Sequence, residues 1–230
     1  MKDIKVYLKI IRYGLQFKLM CILGAIFLGL GILFELSSFG NNSLGCIYLA
    51  IAGLYVFQLI FTPTIAKFVQ TSPYKRKVQT CGSAFVSTIF CLLTFTVLVV
   101  LRLVRATPEN MEKANTDLVH HYSIILSCAI VAAFLLFYMA FCFKMYIVAL
   151  IICISFVLGM MFFGMNSQSS IFVDITKVLT PNGNPVPLIL CSYGIILLGG
   201  FLCYISNILL YKREMSNLAI KNAMRQAGAK

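Results

Sequence analysis

Long apolar runs alternate with short polar segments along this 230-residue chain. A run of about 20 residues is the length that a helix needs to cross a hydrocarbon core about 30 Å thick. The runs carry almost no charge and show no strict alternation of polar and apolar positions, so they indicate membrane-spanning helices and not barrel strands. Six spans are predicted, at Leu19–Phe34, Leu44–Phe61, Val78–Leu101, Tyr122–Phe143, Met145–Met165 and Pro187–Tyr211.

This pattern predicts an all-α integral membrane protein. Residues 19–211 form a six-helix transmembrane domain, and residues 212–230 form a basic tail. Within the domain, the polar segment 62–77 joins the second span to the third, and segment 166–186 precedes the sixth. Segment 166–186 contains the apolar stretch 171–179 before three prolines, which predicts either a helix dipping into the outer leaflet or a surface loop.

The first 18 residues are predicted to form an amphipathic interfacial helix. Its cations are three and four positions apart and share one helical face: Lys2, Lys5, Lys9 and Arg12. Apolar side chains occupy the opposite face, as in helices that lie in the headgroup plane. The alternative is a basic leader that only sets orientation; a cleaved signal peptide would need a small-x-small site, which is missing here.

Basic residues are distributed unequally between the two sets of connecting segments. Positive-inside counting places fifteen of the 19 in the cytoplasm, with both termini. They are Lys2, Lys5, Lys9, Arg12, Lys18, Lys67, Lys75, Arg76, Lys77, Lys144, Lys212, Arg213, Lys221, Arg225 and Lys230. The net charge of +12 is therefore attributed to topology and attraction to anionic lipid, and not to nucleic-acid binding. The predicted location is the plasma membrane of a bacterium.

The spans contain few groups that could perform chemistry. Glu35, Arg102 and Arg105 lie at span ends and are expected to reach the interface with their long side chains. No pair of intramembrane carboxylates is available for a proton or sodium relay, and no nucleotide-binding loop or protease motif is found. His120 and His121 lack further ligands at metal-binding spacing. We therefore expect no enzyme activity and no metal or cofactor in this chain.

Small and hydroxyl-bearing residues are frequent within the spans. Glycines within the spans are expected to allow close helix approach, among them Gly24, Gly29, Gly31, Gly194, Gly199 and Gly200. Ser83, Ser87, Thr94, Ser127 and Ser206 either bond to their own helices, which is expected for most, or line a weakly polar route. The nine cysteines, none in a Cys-x-x-Cys pair, are expected to act in packing. The tight link at residues 143–145 predicts that spans four and five form a hairpin.

The order of these parts, together with the segment Ser72-Pro73-Tyr74-Lys75-Arg76-Lys77-Val78 at the start of span three, resembles the permease subunit of type-2 ABC exporters. The resemblance covers the layout of the whole chain, although 166–186 lacks clear features of the family's paired outer hairpin. It implies that segment 62–77 docks on a cytoplasmic ATPase subunit. The residues to which it assigns this coupling role are Thr64, Ile65, Ala66, Lys67, Phe68, Val69, Pro73, Tyr74, Lys75 and Arg76.

The same resemblance implies partners that this chain does not contain. These are cytoplasmic ABC ATPase subunits carrying ATP and Mg²⁺, and a second permease half, identical or related. A route with few charges suits an amphipathic or hydrophobic cargo such as a peptide, lipid or drug. Two alternatives remain: the membrane subunit of an ATP-driven vitamin uptake system, and a non-transporting membrane scaffold or immunity protein.

Overall fold

A computed structural model describes residues 17–37, 44–61, 63, 75–106, 118–142, 144–164, 171–214, 216–217 and 220–221. These residues form helices and turns, and no strand is found among them, so the predicted all-α class is confirmed. Seven helices are numbered here in chain order. They are α1 Phe17–Leu36, α2 Leu44–Phe61, α3 Lys75–Arg105, α4 Leu118–Cys142, α5 Tyr146–Gly164, α6 Ile171–Leu179 and α7 Val186–Leu209.

Four of the described helices, α1, α3, α4 and α7, are long and apolar enough to cross a membrane. Helices α2 and α5 contribute shorter apolar stretches, Gly45–Leu59 and Tyr146–Phe156. Between its two ends a helix satisfies its backbone N–H and C=O groups internally, which is what the hydrocarbon core demands. The chain therefore has the helices of an integral membrane protein.

Helix α4 lies at the centre of the bundle. It packs against α2, α3, α5, α6 and α7, and half of its most apolar window is buried, compared with 17% for α1. Ile125 of α4, Leu98 of α3 and Leu188 of α7 are fully buried in the shared core. Helix α1 packs mainly on α2, so most of its apolar surface faces outward.

Glycines bring α7 close to its two neighbours, as the sequence predicted. A methyl group added at Gly199 would lie 2.6 Å from the Cα atom of Ala133 in α4. A methyl group at Gly200 would collide with the side chain of Thr88 in α3. By contrast, Gly194 and Gly29 have open space around the same position. Only some of the predicted small residues therefore serve helix approach.

Two connections in the second half of the chain are short. Helices α4 and α5 form the expected hairpin, in which the rings of Phe134 and Phe156 stack with centroids 3.6 Å apart. Helix α6 occupies the apolar stretch 171–179 and leads through a 3₁₀ turn, Pro181–Gly183, into α7. Gly183 has a φ of +76°, a conformation that favours glycine.

Candidate functional site

Charged side chains of the described residues meet at the two ends of the bundle. The end of α1, the end of α3 and the start of α4 meet at what we call the Arg102 end. The start of α3, the turn between α4 and α5, and the end of α7 meet at the Lys144 end. The described parts of three segments that the basic residues predict on one side of the membrane thus meet at the Lys144 end.

A buried ion pair dominates the Arg102 end. Arg102 Nη2 donates a hydrogen bond of 2.8 Å to Glu35 Oε1. Its Nε atom lies 2.8 Å from Oε2, in ion-pair contact but without hydrogen-bond geometry. The two side chains are 0% and 2% exposed, so neither charge is solvated by water. A buried charge is tolerated when it is paired in this way.

His121 extends this pair into a three-residue cluster. Its Nε2 atom lies 3.0 Å from the backbone oxygen of Arg102, which can only accept a hydrogen bond. Its Nδ1 atom lies 3.4 Å from Arg102 Nη1, which can only donate. The arrangement therefore fits a neutral imidazole that carries its proton on Nε2, and the cluster of Glu35, Arg102 and His121 carries no net charge.

Arg105 binds the C-terminal end of α1. Its guanidinium donates hydrogen bonds to the backbone oxygens of Glu35, Leu36 and Ser37. These are carbonyl groups that the end of a helix leaves without intrahelical partners, and a cation there is favoured by the helix dipole. Together with the ion pair one turn earlier, this contact ties the end of α3 to the end of α1.

The expectation that Glu35, Arg102 and Arg105 reach the interface is wrong for the first two. Glu35 and Arg102 point into the bundle and neutralise each other, because α1 and α3 end at the same level. Room for the carboxylate depends on Gly45 at the start of α2, where a methyl group would lie 2.6 Å from Glu35 Oε1. In α1, α3, α4 and α7, no other carboxylate is present.

Cations gather at the Lys144 end. Lys144 is 9% exposed and its Nζ atom donates a hydrogen bond of 2.7 Å to the backbone oxygen of Arg213. The guanidinium of Arg76 lies 5.9 Å from the ring centroid of Tyr211, at the limit of a cation–π contact. Burial lowers the pKa of the Lys144 ammonium, and the positive charge of nearby Lys75 lowers it further.

A π-helical turn, Val78–Gly82, interrupts α3 just after its start. The amide of Ser83 donates to the oxygen of Val78, five residues earlier. The hydroxyl of Thr80 donates to the oxygen of Arg76 (2.7 Å) and that of Ser83 to the oxygen of Gln79 (3.1 Å). Isolated π turns in long helices often mark functional positions, since they can shift register at low cost.

Gln79 lies within this turn and is unusual. It is 2% exposed, yet neither its amide nitrogen nor its amide oxygen has a hydrogen-bond partner among the described residues. One turn further, Ser83 Oγ accepts a hydrogen bond of 3.3 Å from Asn207 of α7. A buried amide without partners destabilises the state in which it occurs, so we regard Gln79 as a candidate for a role in another state.

The predicted hydroxyl bonding is confirmed for three of the five residues. Ser83, Thr94 and Ser127 bond to backbone oxygens of their own helices. Ser87 does not: its buried Oγ atom has no partner in the described part of the chain. The same is true of Ser192 in α7, which sequence inspection did not single out. Both hydroxyls lie within the helices that frame the interior of the bundle.

Most of the predicted site residues lie outside the described residues. These are Lys2, Lys5, Lys9 and Arg12 of the interfacial helix, and Thr64, Ile65, Ala66, Lys67, Phe68, Val69, Pro73 and Tyr74 of the coupling segment. Lys75 and Arg76 are described, and they form the first turn of α3. The coupling assignment therefore stays a prediction, except that its last two residues belong to a spanning helix.

Sequence inspection missed the pairing of Glu35 with Arg102 and the environment of Gln79. The first involves residues 67 positions apart, so no local pattern reveals it. One feature of the sequence could have indicated the pairing: the spans contain one carboxylate, and a carboxylate buried in a membrane protein needs a cation beside it. Among the described residues, no group of three His, Cys, Asp or Glu side chains could hold a metal ion. All nine cysteines are free thiols.

No protein-family model, curated protein or solved structure matches this chain.

Proposed function

We propose that this chain is the permease half of an ATP-driven exporter, which moves an amphipathic or hydrophobic cargo with a separate ABC ATPase. In this proposal all six apolar runs cross the plasma membrane of a bacterium. The Lys144 end and both termini face the cytoplasm. Two such halves, identical or related, enclose the route.

The observation that carries the proposal is that Glu35, a carboxylate within a spanning helix, is held in a buried ion pair. A transporter driven by protons or sodium needs an ionisable group that can exchange its ion during the cycle. Glu35 is the carboxylate that α1, α3, α4 and α7 offer, and it is held by Arg102 in a buried pair. Transport by this chain therefore calls for energy from outside it, and its sequence contains no nucleotide-binding loop.

The Lys144 end is a suitable place to receive that energy. Segment 62–77 leads directly into α3, whose first turn contacts the end of α7 through Arg76 and Tyr211. The α4–α5 turn contacts the same end of α7 through Lys144. A displacement of the segment would thus reach several helices at once. The π turn and the unpartnered amide of Gln79 lie near the start of α3. This part of the helix would have to move if the segment were displaced.

Reconstitution with an ATPase tests the proposal. The neighbouring open reading frames are searched for a Walker-type ATPase. The chain is co-expressed with the ATPase so found, and the complex is placed in liposomes with an apolar fluorescent peptide as cargo. We expect a complex without a scaffold protein between the two subunits, and peptide movement that requires ATP. A complex formed through a scaffold would support vitamin uptake instead. ATP hydrolysis without any cargo movement, or no complex, would support the scaffold or immunity protein.

The double variant Lys67→Ala, Phe68→Ala tests the coupling segment. We expect insertion and ATP hydrolysis to persist while ATP-dependent transport falls, because the contact that transmits force is lost. The matched control is Lys177→Ala, Val178→Ala, which also removes one exposed lysine and one apolar side chain, at the opposite end. Equal transport by the two double variants would contradict the role of Lys67 and Phe68.

A further inference from the structure

The cations of the Lys144 end come from three separate elements. Lys75 and Arg76 begin α3, Lys144 forms the α4–α5 turn, and Arg213 follows α7. Lys144 bonds to the backbone of Arg213, and Arg76 lies 5.9 Å from the ring centroid of Tyr211, so the cations of the three elements lie against the same short stretch. The positive charge of Lys75 also lowers the pKa of Lys144. Such an arrangement is stable only if something offsets the repulsion, and the cost rises as the groups are removed from water.

The chain offers few anions for this purpose. It contains seven acidic residues in all. Glu35 and Asp174 are already paired, with Arg102 and Lys177. Glu109, Glu112 and Asp117 belong to segment 107–117 between α3 and α4, and Asp3 precedes α1; all four are outside the described residues. In the described part of the Lys144 end the acidic residue is Glu214, which is exposed.

Among the described residues, the ammonium of Lys144 has one hydrogen-bond acceptor. Its ammonium has three N–H donors, of which one is directed at the backbone oxygen of Arg213. A carbonyl oxygen solvates an ammonium only in part, so a second acceptor that carries negative charge would stabilise it strongly. The neighbouring residues Lys212 and Arg213 are exposed, so the cationic surface next to Lys144 faces outward.

We propose that the Lys144 end binds the phosphate group of an anionic phospholipid, with Lys144 and Lys75 as its main ligands and Arg76 beside them. The phosphodiester of a phospholipid has two non-bridging oxygens that share its negative charge, so it can contact two ammonium groups from different elements at once. A membrane leaflet rich in anionic lipid supplies such groups at the level where spanning helices end. Bound there, the lipid would hold α3, the α4–α5 turn and α7 together.

The binding is measured as a thermal shift on the purified full chain in dodecyl maltoside. Cys46, Cys91, Cys128 and Cys203 are buried, so a thiol-reactive dye reports unfolding. The probes are phosphatidylglycerol, phosphatidylcholine and soluble glycerol 3-phosphate, titrated separately. We expect a saturable rise in melting temperature with phosphatidylglycerol only. An equal rise with glycerol 3-phosphate would overturn the assignment to a lipid, and no rise with phosphatidylglycerol would overturn the site.

Variants separate this site from general attraction between a basic protein and an acidic lipid. Lys144→Gln should weaken apparent phosphatidylglycerol binding about fivefold, the effect expected for one lysine near a charged surface. Lys177→Gln, which removes an exposed lysine at the opposite end, should bind as the unmodified chain does. If Lys144→Gln does not fold, Lys75→Gln decides by the same criterion. The proposal is overturned if the site variant that folds, Lys144→Gln or Lys75→Gln, binds phosphatidylglycerol as tightly as Lys177→Gln does.

Discussion

At the scale of single residues, the Glu35–Arg102 pair has the largest energetic consequence. The charges are buried in an environment where neither can be solvated by water, and each is stable because of the other. Their contact also brings together the ends of α1 and α3, with His121 of α4 bonded to the Arg102 backbone. The pair therefore connects α1 and α3 structurally.

Replacing Glu35 by Gln should destabilise the protein by about 3–5 kcal/mol, because Arg102 is left buried without a counter-charge. The measurement is the thermal unfolding of the purified chain in detergent. Asp174→Asn is the matched control, since it removes the carboxylate of an exposed pair and should change the stability by less than about 1 kcal/mol. Equal melting temperatures for the two variants would show that the Glu35–Arg102 pair does not stabilise the fold.

Gln79→Met should have the opposite effect. It removes two buried polar atoms that lack partners while keeping the side-chain volume, so we expect a gain of about 1–3 kcal/mol. Asn207→Leu, which breaks the hydrogen bond to Ser83, should lower the stability instead. If Gln79→Met raises the melting temperature and lowers transport, the Gln79 amide finds its hydrogen-bond partners in another state of the transport cycle. A lower melting temperature for Gln79→Met would mean that the amide is satisfied.

At the scale of helices, the close approach of α7 to α4 determines how the second half of the bundle packs. The approach depends on Gly199, where the backbone of Ala133 leaves no room for a side chain. Backbone atoms cannot move aside as a flexible side chain can. The helix position is therefore sensitive to a single methyl group.

Gly199→Ala should destabilise the protein by about 1–3 kcal/mol through overpacking, despite the higher helix propensity of alanine. Gly194→Ala, five residues earlier in α7, meets open space and should be neutral or slightly stabilising. Thermal unfolding of both variants in detergent checks the difference. If Gly194→Ala proves the more harmful of the two, α7 does not pack in this orientation.

Helix positions could be predicted from the sequence, because hydrophobic length is a strong constraint in a bilayer. The predicted start of span three, Val78, is three residues from the observed start at Lys75, and α7 starts one residue before the predicted Pro187. The π turn could not be predicted, since residues 78–82 differ in no obvious way from other polar helix starts. Glu35 was placed correctly along α1, but its partner was not, because pairing across 67 residues depends on tertiary packing.

At the scale of the whole molecule, the bundle has two chemically different ends. The Arg102 end is held by a neutral cluster of paired charges, whereas the Lys144 end has an excess of cations. By the positive-inside rule this excess predicts that the Lys144 end faces the cytoplasm, and it is also the basis of the lipid site proposed above. The exporter proposal depends on this orientation, since an ATPase can reach segment 62–77 only from the cytoplasm.

Labelling of intact cells with a membrane-impermeant maleimide tests this orientation most directly. Two single cysteines are introduced, Phe68→Cys in the coupling segment and Asp174→Cys on α6, where the native side chain is 74% exposed. The nine native cysteines lie within helices, so the unmodified chain gives the baseline. We predict that Asp174→Cys is labelled in intact cells and Phe68→Cys only after permeabilisation. Labelling of Phe68→Cys in intact cells would contradict both the orientation and the proposed contact with an ATPase.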